Sequence, residues 1–552
     1  MVENTSSSGN TNNNIVGTNL NGINYYSTQQ PFIDEFKSSQ PWVTQTNGTW
    51  DTKEDDLLDL DDQGWVKSLP GSTEEAEFTK VSSLLFRTHG SYLPGKYVVL
   101  YEGEGNIEYK FDAEKIEELS TEGRDVIEVV EPSTEGILLS ITSTDPDRTG
   151  DYIRDIKVVP EADESNAETE IFNPAFLEKI EPFGTLRFMD WMRTNDSTQK
   201  EWADRPKPED VRYSTSAGAP VEIMVELANE TDTNPWFTIP HQATDEYVAN
   251  FAQYVKDNLE PELDVYVEYS NEVWNSQFDQ HHWVKEQAEQ EWPDSSDSEF
   301  TNTIDWYSKR TTEIVGIWDE TFNEESERVI GVMAAQASND WTGQRALNYE
   351  WSDSDLSHED TGIDAIAIAP YFGDYIGGRN NEDILESWTK ERDGGVGKVL
   401  QEIKEGGLLE NGVEGGALEK AYGHISDYAE LADKKGLDLL AYEGGQHLVG
   451  VGGVQDNEAI TELLINANRN GEMAPIYGKY LNEWFDRGGD LFVNFSDIEK
   501  PSKHGSWGVL GSVYQSNSPK YHAINNFIEE NSSFDPISGE VSQVADFDAA
   551  DI

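Results

Sequence analysis

Short, nearly continuous apolar runs recur along the chain at residues 15–26, 185–192, 221–227, 264–269, 328–334, 365–371, 437–442 and 490–495. Runs of this kind predict parallel strands covered on both faces. Between them the spacing turns helical. Over residues 244–259, Tyr247, Val248, Phe251, Ala252 and Val255 share one face. Thr244 stands at the N-cap, and Asp245 and Glu246 suit the positive end of the helix dipole. Eight strands alternating with helices predict an α/β fold, a (β/α)8 TIM barrel, with a doubly wound open sheet as the alternative.

One stretch breaks the alternation. Strand patterns follow one another at residues 83–87, 96–101, 107–111, 125–130, 137–142 and 152–159, separated by Gly, Pro and Asp. They predict an all-β, β-sandwich-like module over 81–160, inserted between the first and second barrel strands. The barrel is then discontinuous, over 15–80 and 161–530, with polar Ser, Asn and Asp-rich tails over 1–14 and 531–552. Packing support is the module's default role; carbohydrate binding or covering of the site are the functional readings. Within it Asp145, Asp147 and Asp151 cluster around Gly150. A calcium site needs several oxygens at such spacing, but in so acidic a chain clustered aspartates also arise by chance.

The 552 residues suit roughly two to four compact units. With 16 Trp and 23 Tyr, the chain has enough apolar surface for a folded core. It lacks cysteine, which excludes disulfides, thiolate zinc sites and thiol nucleophiles. Apolar runs such as residues 363–370 fall short of the roughly 18 residues of a membrane span. The formal net charge of −68 disfavours nucleic acid and anionic membranes as partners. In molar salt the Debye length shrinks to about 3 Å, so such self-repulsion is tolerable there. The charge is read as a high-salt adaptation.

In a parallel barrel, catalytic groups stand at the carboxyl ends of the strands, which narrows 107 acidic residues to a few. The fourth apolar run leads into Glu268-Tyr269-Ser270-Asn271-Glu272-Val273-Trp274-Asn275, and the seventh into Tyr442-Glu443-Gly444-Gly445-Gln446-His447. Each delivers a glutamate beside aromatic and amide groups. Two carboxyl groups facing across a cleft suit glycosidic cleavage, one donating a proton to the leaving oxygen and the other ionised. A separation of about 5–5.5 Å would mean retention and about 6.5–9.5 Å inversion. The alternative is a pair of buried structural carboxylates.

Asn271-Glu272 after the fourth strand and Glu443 after the seventh resemble the signature of the clan A retaining glycoside hydrolases, which include the family 5 cellulases and mannanases. The segment 268–275 is also similar to a subgroup described as cellulose-binding or cellulase-like. The resemblance spans residues 15–528 apart from the inserted module. It implies Glu272 as acid/base, Glu443 as nucleophile and Asn271 as the amide on the sugar 2-hydroxyl. It also implies Arg187 as the cation holding the nucleophile ionised and Tyr371 as its hydrogen-bond donor. Two features depart from the pattern. The eighth strand ends Val493-Asn494-Phe495-Ser496-Asp497 without the usual Trp, for which Trp507 is the substitute. The third lacks a nearby His, for which His241 is the replacement.

Trp191, Trp236, Trp274 and Trp341 follow expected strand ends, where indole faces suit stacking on sugar rings; core packing is the alternative for each. The histidines at 241, 281, 282 and 447 show no metal-ligand spacing, so no metal and no cofactor are expected. Neither a nucleophile elbow nor a phosphate-cradling loop is present. The expectation is a salt-adapted retaining hydrolase of β-1,4-glucan, with polysaccharide as partner and an extracellular setting implied by that substrate. Mannan or xylan cleavage, or polysaccharide binding without catalysis, are the alternatives. The sequence leaves endo or exo action and oligomeric state open.

Overall fold

The structure, a computed structural model, describes residues 15–70, 76–349 and 362–531, so nearly all of both expected tails lies outside the described residues. Eight parallel strands close into a barrel: Val16–Asn19, Thr185–Arg187, Asn234–Ile239, Val265–Tyr269, Val329–Ala334, Ile363–Ile368, Asp438–Ala441 and Leu491–Asn494. Closure comes from the first strand, where Gly17 pairs with Thr185 on one side and with Val493 on the other. Helices follow the strands and bury their apolar faces against the barrel, as Val248, Phe251 and Val255 do from Asp245–Asn258. Thr244 caps that helix, its hydroxyl accepting from the Tyr247 amide.

The third strand is not where the apolar run at 221–227 puts it. Residues Val221–Thr231 form a helix, entered from Pro220 and closed by Asp232 in the left-handed conformation. Val221, Met224, Val225 and Ala228 are buried at helical spacing, while Glu222 and Glu226 stand on the other side of the period. The true strand, Asn234–Ile239, carries Pro235 near its start, a residue that argues against a strand when only sequence is read.

Between the first and second barrel strands lie two four-stranded antiparallel sheets. One runs Val43–Gln45, Lys80–Leu85, Ile137–Thr144, Gly105–Phe111; the other runs Arg154–Pro160, Gly95–Glu102, Arg124–Val129, Ala113–Lys115. Their shared core includes Val81, Val99, Ile107, Ile127, Leu139 and Ile156, joined by Phe36, Trp42 and Trp65 from before residue 81 and Val211 from beyond 160. The β-rich layer thus draws in chain outside 81–160, because Val43–Gln45 is too short and polar to show an alternating pattern. Asp145 caps a turn, accepting from the Thr149 and Gly150 amides. Among the described residues no group of three His, Cys, Asp or Glu is placed to hold a metal, and no helix is long and apolar enough to cross a membrane.

Candidate active site

The fourth strand ends in a sharp turn in which Ser270 (φ 60°) and Glu272 (φ 42°) both take the left-handed conformation that non-glycine residues avoid. The turn leaves Asn271 buried and Glu272 on an open groove. Tyr442, at the end of the seventh strand, donates to Glu272 Oε1 at 3.0 Å, and Asn275 Nδ2 donates to Oε2 at 3.0 Å.

The next residue, Glu443, is buried, and both of its oxygens accept. Arg187 Nη1 donates to Oε1 at 3.0 Å and Tyr371 Oη to Oε2 at 2.9 Å. The two glutamates are therefore joined through consecutive residues, Tyr442 and Glu443. Burial pushes the Glu443 carboxyl up to about 8; Arg187 and the Tyr371 hydrogen bond pull it down, while the Glu272 charge adds to the rise.

Arg187 ends the second strand and is wholly buried. Its guanidinium also donates to Glu268 Oε2 at 3.1 and 2.9 Å, to Asn19 Oδ1 at 3.0 Å and to Asn271 Oδ1 at 3.0 Å. One cation therefore serves two buried carboxylates, Glu268 and Glu443. Trp236 Nε1 adds a third donor to Glu268 Oε2 at 2.9 Å, whereas Oε1 has no protein partner. Burial raises the Glu268 carboxyl, against the pull of Arg187. Asn271 is fixed from behind: its Nδ2 donates to Asn195, and Gln280 donates to its carbonyl and to Asn195.

The groove, about 490 Å³, is lined by Glu272, Trp274, Gln336, Tyr371, Tyr442 and His447 among others. Trp507 packs on two of these side chains, its ring 5.8 Å from that of Tyr371 and 5.1 Å from His447. Of the expected residues, Glu272, Glu443, Asn271, Arg187 and Tyr371 meet in one hydrogen-bonded cluster, and Trp274 and Trp507 stand beside it.

Four expected contacts fall elsewhere. Trp191 and Trp236 have no exposed surface and cannot be sugar platforms. Trp236 sits in the barrel interior against Glu268, and Trp191 packs on Phe32 and Phe188 while donating to the Asn21 carbonyl. Trp341 is exposed but stacks on Phe300, away from the residues lining the groove. His241 is buried beside Trp283 and Gln242, with burial pushing it down to about 4, and it does not line the groove.

The residues missed from sequence are Glu268, Tyr442, Asn19, Asn195 and Gln280. Glu268 carried a signal: a charge inside an apolar strand requires a buried partner. Asn195 and Gln280 are polar residues of loop and helix with no pattern to set them apart.

These side chains define a class of molecule: a closed parallel barrel with two carboxyl groups convergent at its carboxyl-terminal mouth. No known family profile matches the chain, and no curated protein matches its sequence. Among solved structures, similarity is found to a broad-specificity endoglucanase from Clostridium longisporum, with 11% identity, TM-score 0.37, and coverage of 66% of this chain and 88% of that one. A xyloglucan-specific endo-β-1,4-glucanase from a metagenomic library has 14% identity, TM-score 0.33, and coverage of 65% and 90%. An exo-β-1,4-mannosidase from Opitutaceae bacterium strain TAV5 has 10% identity, TM-score 0.35, and coverage of 64% and 54%.

Proposed function

We propose that this protein is a retaining glycoside hydrolase acting on β-linked polysaccharide, with β-1,4-glucan as the preferred backbone. One observation carries the reading: Glu272 and Glu443 converge at the mouth of the barrel, each with both oxygens held by its own pair of donors. Arg187 and Tyr371 present only N–H and O–H groups to Glu443, which favours its ionised, acceptor-only form. Ionised Glu443 attacks the anomeric carbon while Glu272 gives its proton to the departing oxygen. Glu272 then takes a proton from water as that water releases the sugar from Glu443. Trp274, which lines the groove, and Trp507, packed on Tyr371 at its edge, are the indoles nearest a bound sugar.

The surface charge fits work in concentrated salt, and a polymeric substrate fits an extracellular setting. The test is a panel of β-glucan, mannan and xylan assayed in molar salt for reducing-sugar release, with Glu272→Gln and Glu443→Gln as controls. Loss of hydrolysis with retained binding is expected in both variants. Binding without hydrolysis by the unaltered protein would instead mark a polysaccharide-binding protein. A product that first appears as the α-anomer would refute retention.

A further inference from the structure

A second cleft, larger than the first at about 850 Å³, opens where the β-rich layer meets the barrel. It is lined by the loop after the first strand, the loop after the eighth, and the turn that follows Lys80–Leu85. It lies on the same barrel face as the two glutamates. Asn21, in its wall, is two residues beyond Asn19, the acceptor of Arg187. His504, also in its wall, accepts through its carbonyl from Trp507 Nε1 at 2.9 Å, and the Trp507 ring packs on Tyr371. Trp507 thus touches a wall of each cleft, Tyr371 of the first and His504 of the second.

Its lining is less acidic than the chain as a whole. Acids outnumber bases 107 to 39 in the chain, whereas this lining sets two bases, Arg87 and Lys500, beside two acids, Glu135 and Glu499. Arg87 and Lys500 line the cleft, are exposed, and form no side-chain ion pair among the described residues. Each of them pushes the His89 imidazole down, after its partial desolvation. Glu135 and Glu499 share the lining but pair with neither. In molar salt distant charges are screened within about 3 Å, so two unpaired cations act only on what touches them. Guanidinium groups suit direct, forked contact with planar or tetrahedral oxyanions. Beside them Tyr25 and Tyr26 form an edge-to-face corner, centroids 5.2 Å apart, with Tyr26 58% exposed. Exposed aromatic faces next to unpaired cations match a ligand that is part sugar ring and part anion.

We propose that this cleft is a subsite for a sugar unit bearing an anionic group, a uronate carboxylate or a sulfate ester, on the polysaccharide held by the catalytic groove. This inference rests on the hydrolase reading. The test measures binding in molar salt to the full-length Glu272→Gln protein, so that turnover does not obscure affinity. The probes are a glucuronate-bearing oligosaccharide, its carboxyl-reduced counterpart, and a sulfated oligosaccharide beside its unsulfated parent. At least one anionic probe is expected to bind about tenfold or more tighter than its neutral partner. Adding Arg87→Ala and Lys500→Ala removes that margin, and Arg87→Glu reverses it. Which probe carries the margin identifies the anion. Equal binding of charged and neutral probes, or a margin that survives the double substitution, overturns the proposal. Failure of the unaltered protein to cut any β-linked polysaccharide defeats the hydrolase reading. Cutting of neutral glucan without the margin defeats only the subsite.

Discussion

Tyr371→Phe removes one hydroxyl and keeps the ring that packs on His447 and Trp507. What is lost is a buried O–H donor at 2.9 Å from Glu443 Oε2. A hydrogen bond to a charged acceptor contributes about 1.5–3 kcal/mol, which corresponds to roughly one to two pH units in the ionisation it supports. The bond favours the carboxylate, so its loss raises the carboxyl further above the value of about 8 that burial already imposes. Glu443 attacks only when ionised and Glu272 must still carry a proton to give, so kcat/KM follows the fraction of molecules in that paired state. Raising the Glu443 carboxyl shrinks that fraction, so kcat/KM is expected to fall in the variant and the limb of its pH profile set by Glu443 to move to higher pH. The assay is kcat/KM on a soluble β-glucan from about pH 5 to about pH 10 at constant molar salt. A variant whose rate falls by the same factor at every pH, with the limb unmoved, would show that Tyr371 does not act through this ionisation. A limb displaced to lower pH would refute the sign.

The same carboxyl has a stability consequence. Its folded value of about 8 lies above the unfolded value of about 4.3, so the folded protein holds the proton more tightly across that window and stability falls as pH rises through it. Glu443→Gln should accordingly gain in melting temperature relative to the unaltered protein between pH 5 and pH 8, read by circular dichroism; a constant difference contradicts the assignment. Dilution from molar salt to about 0.1 M lengthens the Debye length to about 10 Å, and the protein is expected to unfold, seen as a red shift of Trp fluorescence. An unchanged melting temperature at low salt would count against salt adaptation. Trp191→Ala should cost about 3–5 kcal/mol in denaturant unfolding because the ring is wholly buried. Trp507→Ala should instead raise KM with little loss of stability.

Most of the barrel is legible in the sequence because seven of its strands are apolar runs that end in polar or aromatic loops. The exception has a physical cause. Residues 221–227 are apolar enough to pass for a buried strand, and only the placement of Glu222 and Glu226 betrays a helix. The central cluster could be read because strand ends and an arginine at the end of strand two locate it in advance. Burial decides the rest, and burial is not written locally. Trp236 lies inside the third strand and Trp274 in the turn beyond the fourth, so one meets Glu268 in the barrel and the other lines the groove. Glu268 lies four residues before Glu272, but what matters about it, a shared claim on Arg187, depends on a residue 81 positions away.

The first barrel strand is hydrogen-bonded along one edge to the last, and the Thr18 hydroxyl reaches the Asn494 carbonyl across 476 positions of chain. A ribosome must therefore deliver the chain through the eighth strand before the ring can shut. The sheets between strands one and two, whose own ladders are short in sequence, can collapse well before that and occupy the waiting strand's surroundings. Truncation near residue 490 should thus leave a nascent chain with one ordered lobe and an unsealed remainder, which protease protection of stalled chains can reveal.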